Sequence, residues 1–255
     1  MNKVVFILSV SSDIGFYLAK KYIKLGYTVL GTYRVFHPFL YKFPGYLFRL
    51  DIDDEDSLKY FVNEYKKFGL KWDIFISCVG EPRPLTSFFE SDFDTWERSV
   101  NTNSIRQLEV LHSMYPYMNK KGTVVFFAAG GINNAVVDFS AYTIGKIILI
   151  KMCEYLDAEN KNLKIFIVGP GWTKTKTHEL ILNSKISKEK RKETKDFIKN
   201  KQGTDMDYIF NKINWLYKAG KPASGRNYSI VYDTFDNNML ENLLDTDFYK
   251  LRRYE

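Results

Sequence analysis

A tyrosine lies four residues ahead of a lysine, at Tyr142 and Lys146, in the stretch FFAAGGINNAVVDFSAYTIGK. Residues four apart are neighbours on one face of a helix, so the ammonium can lie near the phenol oxygen. A nearby cation lowers the pKa of a phenol, which is ~10 when unperturbed. Such a phenol can donate a proton to a carbonyl oxygen or accept one from an alcohol. The pair therefore predicts an acid–base site.

The same spacing occurs elsewhere in the chain, so spacing alone does not identify a catalytic pair. The other pairs are Tyr17/Lys21, Tyr117/Lys121, Tyr208/Lys212 and Tyr217/Lys221. Only Tyr142 follows an apolar strand through a loop and opens a helix, beside strand ends where a ligand can bind. The alternative is that Tyr142 is a packed core tyrosine.

The elements that must position this pair alternate between strands and helices. Apolar runs predict strands over 4–10, 27–33, 46–52, 72–80, 122–130, 163–171 and 227–233. Helical patterns cover 14–25, 94–118, 140–159 and 205–218, and a further helix, capped by Asp56 or Ser57, ends at Phe68. Strands that are apolar on both faces and separated by helices predict a parallel sheet covered on both sides. We expect one α/β domain over 1–255, with a Rossmann-like, doubly wound sheet of about seven strands.

The composition excludes several classes of protein. No apolar run approaches the ~18 residues of a membrane span, and the first apolar run is too short for a signal peptide. Cys78 and Cys153 lie far apart, which suits a reducing cytoplasm. His37, His112 and His178 are scattered, so we expect no metal site. The expectation is a cytoplasmic protein with no membrane partner.

The turn after the first predicted strand, SVSSDIG at residues 9–15, is short and polar. It delivers backbone N–H groups to a helix N-terminus, where a pyrophosphate can bind. Its candidate contacts are Ser9, Ser11, Ser12, Asp13, Ile14 and Gly15. An ordinary strand–helix turn is the alternative, since Asp13 adds a negative charge near the phosphate unless it points away and caps the helix.

The end of the second predicted strand bears on the choice of cofactor. An acidic residue there would accept hydrogen bonds from a ribose 2′-hydroxyl, whereas this chain has Arg34. A guanidinium suits a 2′-phosphate, so we expect NADP(H) in preference to NAD(H). A solvated arginine is the alternative.

Taken in order, these features resemble the short-chain dehydrogenase/reductase family, from the first strand almost to Asp233. Tyr142 and Lys146 fall on the family's active pair, and Asn103, seven residues after Trp96, falls on its helix asparagine. The resemblance implies an oxidoreductase that interconverts a carbonyl and an alcohol. In it, Lys146 would also hold the nicotinamide ribose, and Asn103 would keep a water in the proton relay.

The resemblance implies further cofactor contacts. Asp51 takes the place of the adenine-contacting aspartate, SCVG at 77–80 stands for Asn-Asn-Ala-Gly, and PGWTKT at 170–175 matches the segment over the nicotinamide. The implied contacts are Asp51, Ile52, Val79, Gly80, Gly171, Thr173 and Thr175.

One expected catalytic residue is absent. Relatives place a serine thirteen residues before the tyrosine, and this chain has Ala129 there. Losing one preorganised donor typically costs ~10²–10³ in rate. Asn133, Asn134 and Ser140 are possible substitutes. The alternative is a homologue that binds the cofactor with little catalysis.

Positive charge is concentrated between residues 174 and 201, where the net charge is +6 out of +7 for the whole chain. We treat this segment as a basic, mobile flap beside the substrate, with Lys174, Lys176 and His178 as contacts. It favours an anionic substrate of the sugar-phosphate or nucleotide-sugar type. For the segment, the alternative is a solvated lysine-rich helix. For the function, the alternative is a 3-oxoacyl-carrier-protein reductase. No nucleic acid is expected because interleaved aromatic residues are missing.

The long apolar helices predicted over 94–118 and 140–159 bear on assembly. Relatives pair such helices across a two-fold axis, so the resemblance implies a homodimer or homotetramer. Residues 234–255 are expected to form a C-terminal tail.

Overall fold

The structure of the protein is a computed structural model that describes residues 2–184, 188–200, 203–243 and 245–252. Its parallel strands form one seven-stranded sheet in the order β3-β2-β1-β4-β5-β6-β7. The strands are β1 (Val4–Leu8), β2 (Thr28–Tyr33), β3 (Tyr46–Arg49), β4 (Trp72–Ser77), β5 (Met118–Phe127), β6 (Leu163–Gly169) and β7 (Arg226–Ser229). The predicted doubly wound α/β fold is confirmed.

Helices cover both faces of the sheet. They are α1 (Asp13–Lys24), α2 (Glu55–Phe68), α3 (Phe93–Asn103), α4 (Ile105–Met114), α5 (Ser140–Glu159), α6 (Lys176–Leu182), α7 (Lys188–Lys199), α8 (Met206–Ala219) and α9 (Asn237–Leu243). Because side chains alternate along a strand, Phe6 and Leu8 enter one buried cluster and Val5 and Ile7 enter the other. Within the described residues, no helix is long and apolar enough to cross a membrane.

Two predicted helices have different bounds. The helix predicted over 94–118 divides at Ser104, whose φ of −142° and ψ of −83° lie outside the helical region. The Ser104 hydroxyl donates to the Val100 carbonyl, and such side-chain bonds compete with the helix ladder. Asp54, rather than Asp56 or Ser57, caps α2 by accepting from the N–H groups of both those residues.

The basic segment is more anchored than the sequence suggests. The ring of Phe197 on α7 lies 4.8 Å from the rings of both Trp172 and His178, measured between centroids. Thr194 on α7 is fully buried. Buried and ring contacts thus hold part of this segment, and its expected mobility stays a prediction. Ile186, the single large apolar residue of 183–196, lies outside the described residues.

The segment expected to be a C-terminal tail packs on the edge of the sheet. It contains α9, and the buried guanidinium of Arg226 on β7 donates to the carbonyls of Leu243, Thr246 and Phe248. The N–H of Asn227 donates to Tyr249. Residues 245–249 are thus bound to β7, as part of the same folded unit.

Candidate active site

The turn between β1 and α1 has the shape of an anion-binding turn. Ser9 adopts a φ of 65°, a left-handed conformation that favours glycine. Its carbonyl accepts from the N–H of Ser12 at 3.1 Å, and the Ser12 hydroxyl accepts from the N–H of Gly15 at 3.0 Å. A β-carbon on Gly15 would lie 2.6 Å from the Ser9 carbonyl oxygen, so the turn requires glycine there.

The open start of α1 fits a pyrophosphate in part. Among the described residues, no acceptor pairs with the N–H groups of Asp13 or Ile14, which leaves two donors at the end of a 12-residue helix. Ser12 caps the helix, and Asp13 does not. Instead, a carboxylate oxygen of Asp13 accepts from the N–H of Lys176 at 2.8 Å. Asp13 therefore ties α1 to α6 and keeps a negative charge beside the anion site.

Tyr142 and Lys146 lie in the first turns of α5, at the carboxyl end of β4. Lys146 is 1% exposed, and its ammonium donates to the Val79 carbonyl at 2.8 Å. The same nitrogen lies 5.7 Å from the centre of the Tyr142 ring. A β-carbon at Gly80 would lie 3.3 Å from the Tyr142 hydroxyl, so the phenol packs directly on that glycine. The structure brings these predicted residues together.

The pKa values of this pair differ from the expectation. Burial lowers the pKa of Lys146 to about 7. Burial, and then the nearby carboxylate of Glu81, raise the pKa of Tyr142 to about 12. The expectation that Lys146 lowers the phenol pKa is wrong for this structure, because Lys146 is bound to Val79 and is weakly charged near neutrality. Tyr142 is held in its protonated form.

Asn103 is fully buried and fixes the chain after Gly80. Its amide donates to the Glu81 carbonyl at 2.7 Å, and its side-chain oxygen accepts from the Glu81 N–H at 3.0 Å. The amide also donates to Ser99 at 2.8 Å. Both ends of the side chain are thus engaged with the backbone. A water in a proton relay would have to use the Asn103 backbone carbonyl.

Glu81, which the sequence argument did not select, lies close enough to Tyr142 for its charge to raise the pKa of the phenol. Its carboxylate accepts from Arg83 through two guanidinium bonds of 2.8 Å. Burial opposes its ionisation, but Arg83 and the guanidinium of Arg34 outweigh that effect and lower its pKa. Arg34 itself is exposed just after β2. Glu81 directly follows the SCVG segment at 77–80, and this position in the sequence could have identified it as a candidate site residue.

An apolar cluster closes around Tyr142. Leu85, Phe139 and Ile181 are buried together, and Val136 and Tyr142 pack against them. Ile181 comes from α6, Val136 and Phe139 from the loop before α5, and Leu85 from the loop after β4. Sequence reasoning missed the cluster because these segments are far apart in the chain.

The comparisons with known proteins agree with this geometry. A family model described as "Enoyl-(Acyl carrier protein) reductase" matches residues 9–217. The chain belongs to the short-chain dehydrogenase/reductase family. The uncharacterized oxidoreductase YIR035C of Saccharomyces cerevisiae is 26% identical over 122 residues, which is 48% of each chain. The match therefore spans about half the length of that curated relative.

Solved structures share the fold. The crystal structure of YIR035C has a TM-score of 0.81 at 23% identity and covers 95% of this chain and 99% of its own. KRED1-Pglu has a TM-score of 0.79 at 20% identity, with 89% and 100% covered. Aldohexose dehydrogenase of Thermoplasma acidophilum has a TM-score of 0.76 at 16% identity, with 89% and 92% covered.

Burial distinguishes the short-chain dehydrogenase/reductase pair from the other tyrosine–lysine pairs. Lys21 also lies 5.7 Å from the ring of Tyr17, but its side chain is 32% exposed and pairs with Asp207. Lys212 lies 4.9 Å from the ring of the exposed Tyr208. Tyr117/Lys121 and Tyr217/Lys221 do not share a helix. Only Lys146 among these lysines is buried.

Among the described residues, none of the suggested substitutes for the family's serine forms a hydrogen bond with Tyr142. The Ser140 hydroxyl accepts from the Trp96 indole N–H at 2.9 Å, which gives it a structural partner. Asn133 and Asn134 are exposed in the loop before α5. Ala129 is partly buried after β5. The described residues therefore show no second side chain that replaces the missing donor.

The polar substrate candidates are exposed or make contacts within the protein. Lys174 is exposed, and the Lys176 ammonium lies 4.8 Å from the ring of Phe39. His178 forms a capping box with Thr175 and stacks on Phe197, and burial lowers its pKa. The structure thus assigns contacts within the protein to Lys176 and His178.

The remaining cofactor candidates lie at the carboxyl edge of the sheet. Ser11 is partly buried in the first turn, Ile52 is buried, and Asp51 accepts from the N–H of Asp53. After β6, Gly171 has a φ of 70° and the Thr173 hydroxyl donates to Pro170. In the described residues, no group of three or more potential metal ligands is present.

Proposed function

We propose that this chain is an NADP(H)-dependent oxidoreductase that interconverts a carbonyl and an alcohol on a small molecule. One observation carries the proposal: Lys146 is buried on the same helix as Tyr142, with both side chains against the Val79–Gly80 segment at the end of β4. A buried lysine without a carboxylate partner is costly for a fold, so its position favours a chemical role.

We assign a separate role to each group of residues. The α1 turn and Arg34 would hold the phosphates, and Lys146 would hold the ribose beside Tyr142. When bound there, a reduced nicotinamide would supply the hydride for the carbonyl carbon. Tyr142 is protonated at neutral pH, so its O–H bond can break and pass the proton to the carbonyl oxygen.

The test measures NADPH binding and NADPH oxidation separately over a panel of aldehydes and ketones. Oxidation that depends on an added carbonyl supports the proposal. Tight binding without oxidation would instead favour a cofactor-binding homologue, which the absence of serine at Ala129 keeps as a second candidate. A 3-oxoacyl reductase is favoured by the apolar cluster around Tyr142 and by the description of the matching family model.

Arg34→Asp should reverse or erase a preference for NADPH. A charged hydrogen bond of this kind contributes about 1.5–3 kcal/mol, so NADPH affinity should fall by about 10- to 100-fold while NADH affinity changes little. Fluorescence titration with both cofactors checks this. Arg98→Asp, an exposed arginine on α3, is the control. Equal affinity of the unmodified protein for both cofactors would remove the argument from Arg34.

Asp13→Asn should strengthen cofactor binding. The carboxylate lies at the start of α1, beside the donors proposed for a pyrophosphate, and repulsion between charges ~4 Å apart is about 1 kcal/mol in water. Affinity should therefore rise at least about fivefold at low salt, and the gain should shrink as salt rises. Asp92→Asn, at the start of α3, should have no effect. An unchanged affinity at low salt would contradict this placement of the pyrophosphate.

We also propose a homodimer or homotetramer. Large apolar side chains are exposed on α4 and α5, including Ile105, Ile144 and Tyr155. Such a surface is typical of protein interfaces. Light scattering at micromolar concentration should give at least twice the mass of the chain, and a monomer would disprove the proposal.

A further inference from the structure

Residues 88–98, which we call the acidic aromatic surface, expose aromatic rings that pack on one another. Phe89 is 95% exposed, Phe93 is 59% exposed and Phe88 is 43% exposed. The centroid of the Phe88 ring lies 5.1 Å from that of Phe89 and 5.2 Å from that of Trp96. An exposed cluster of apolar side chains of this kind is typical of a surface that binds another protein.

Carboxylates surround these rings. Glu90, Asp94 and Glu97 are exposed, and none of them forms an ion pair with another described residue. Asp92, which caps α3, is the fourth carboxylate of the surface. With Arg98 as its single basic residue, the acidic aromatic surface has a net charge of −3. The charge and the rings together suit a partner that carries lysine or arginine.

A row of lysines lies along α7. Lys192, Lys195 and Lys199 are exposed, and their spacings of three and four residues place them on one face of the helix. None of the three forms an ion pair within the part of the chain that the structure describes. The exposed Asp196 lies beside them, so this lysine face of α7 has a net charge of +2.

The two surfaces do not pair within one chain. Between the described residues, no hydrogen bond or ion pair joins the acidic aromatic surface to Lys192, Lys195 or Lys199. Each chain therefore offers both members of a complementary pair. In a contact with two-fold symmetry, each surface would bind its counterpart on the partner copy, so that the same contact forms twice.

Both surfaces also belong to helices that contact the candidate active site. The indole N–H of Trp96 on α3 donates to the hydroxyl of Ser140, two residues before Tyr142. Phe197 on α7 stacks on His178 of α6. A contact between copies would therefore hold elements beside the site in each chain.

We infer that the acidic aromatic surface of one chain binds the lysine face of α7 in a second copy, and that the reverse contact forms across a two-fold axis. The inference rests on the proposed homo-oligomer and adds a contact that the pairing of α4 and α5 does not use. A second copy is the partner because the chain itself carries the surface of matching charge.

Charge reversal tests this contact. One double variant, Asp94→Lys with Glu97→Lys, reverses the acidic aromatic surface, and the other, Lys192→Glu with Lys195→Glu, reverses the lysine face. Each variant alone places like charges opposite each other in both contacts, so the Kd for self-association should rise by about 100-fold or more. An equimolar mixture restores opposite charges in both contacts, so it should show a larger mass than either variant alone. Sedimentation equilibrium at low salt measures these masses.

Matched variants serve as controls. Glu55→Lys and Lys66→Glu, at exposed positions on α2, should leave the mass unchanged both alone and mixed. Phe89→Ala removes an exposed ring without changing the charge and should weaken self-association by about tenfold or more. Tyr232→Ala, at a position that is 88% exposed, should not weaken it. Circular dichroism shows whether each variant is folded, and Phe89→Ala serves if a charge-reversed variant is not.

The outcomes separate the proposals. An unchanged mass in the folded variants, or a reduced mass that mixing does not restore, would overturn the inference. Self-association of the unmodified protein should also weaken as salt rises. A monomer of the unmodified protein would overturn both the inference and the proposed homo-oligomer. NADPH oxidation, measured on the same samples, tests the oxidoreductase proposal independently.

Discussion

Replacing Tyr142 by phenylalanine is expected to lower NADPH oxidation by ~10²–10⁴, the usual worth of a positioned acid–base group. The change removes the hydroxyl and keeps the ring that packs against the cluster of Leu85, Phe139 and Ile181. NADPH affinity should therefore change little. Stopped-flow measurement of oxidation, together with fluorescence titration of NADPH, separates the two quantities.

Tyr17→Phe is the matched control for this substitution. Lys21 stands at the same distance from the Tyr17 ring as Lys146 does from the Tyr142 ring, 5.7 Å in each case. Tyr17 and Lys21 are only partly buried, and Lys21 pairs with Asp207, so Tyr17→Phe should leave turnover intact. An equal loss of activity in both variants would show that neither hydroxyl is the proton donor.

The sequence predicts the position of Tyr142 and Lys146 because position follows from the order of elements. An apolar strand, a loop and a helix start place Tyr142 at the carboxyl edge of a parallel sheet. The same logic predicted the strands, whose apolar runs are long and bounded by turns. It did not predict the break at Ser104, because a single side chain bonding to Val100 decides it.

The surroundings of the pair could not be predicted in the same way. Spacing indicates that Lys146 and Tyr142 are neighbours, but the pKa of each depends on burial, which long-range packing sets. The carboxylate of Glu81 and the side chain of Ile181 reach the phenol from separate segments. The sequence alone gives no distance between such segments.

Asp13 shows where two sequence interpretations were both incomplete. If Asp13 capped the helix, its side chain would not affect cofactor binding. If its carboxylate were free, the negative charge would weaken cofactor binding. The structure shows a third arrangement, in which Asp13 accepts from Lys176, 163 residues away in the chain. A contact of this range depends on how α6 folds back over the first turn.

The largest expected effect on stability comes from Lys146→Met. The ordinary pKa of a lysine in the unfolded chain is ~10.4, whereas burial lowers the pKa of Lys146 in the folded protein to about 7. The unfolded chain therefore binds more protons than the folded one between these two pH values. Stability must rise with pH across that window, and below about pH 7 the cost of burying the charge is present in full.

The magnitude follows from the same shift. Each pKa unit corresponds to about 1.4 kcal/mol, so a shift of this size costs the folded state several kcal/mol at acidic pH. Methionine removes that cost but also removes the bond from the ammonium to the Val79 carbonyl, worth about 1–3 kcal/mol when a buried partner is left unpaired. The variant should still be more stable than the unmodified protein by about 2 kcal/mol near neutrality, with turnover abolished.

Urea unfolding between pH 6 and pH 10 measures this difference, with Lys21→Met as the control. The advantage of Lys146→Met should shrink as the pH rises, because the unmodified protein loses its buried charge. The Lys21 side chain is 32% exposed and its pKa is raised by the hydrogen bond to Asp207, so Lys21→Met should not be stabilising in this window. If Lys146→Met is no more stable than the unmodified protein at any pH, burial of Lys146 does not lower the free energy of unfolding. A gain in stability together with lost turnover would mean that chemistry, rather than folding, accounts for a buried lysine beside Tyr142.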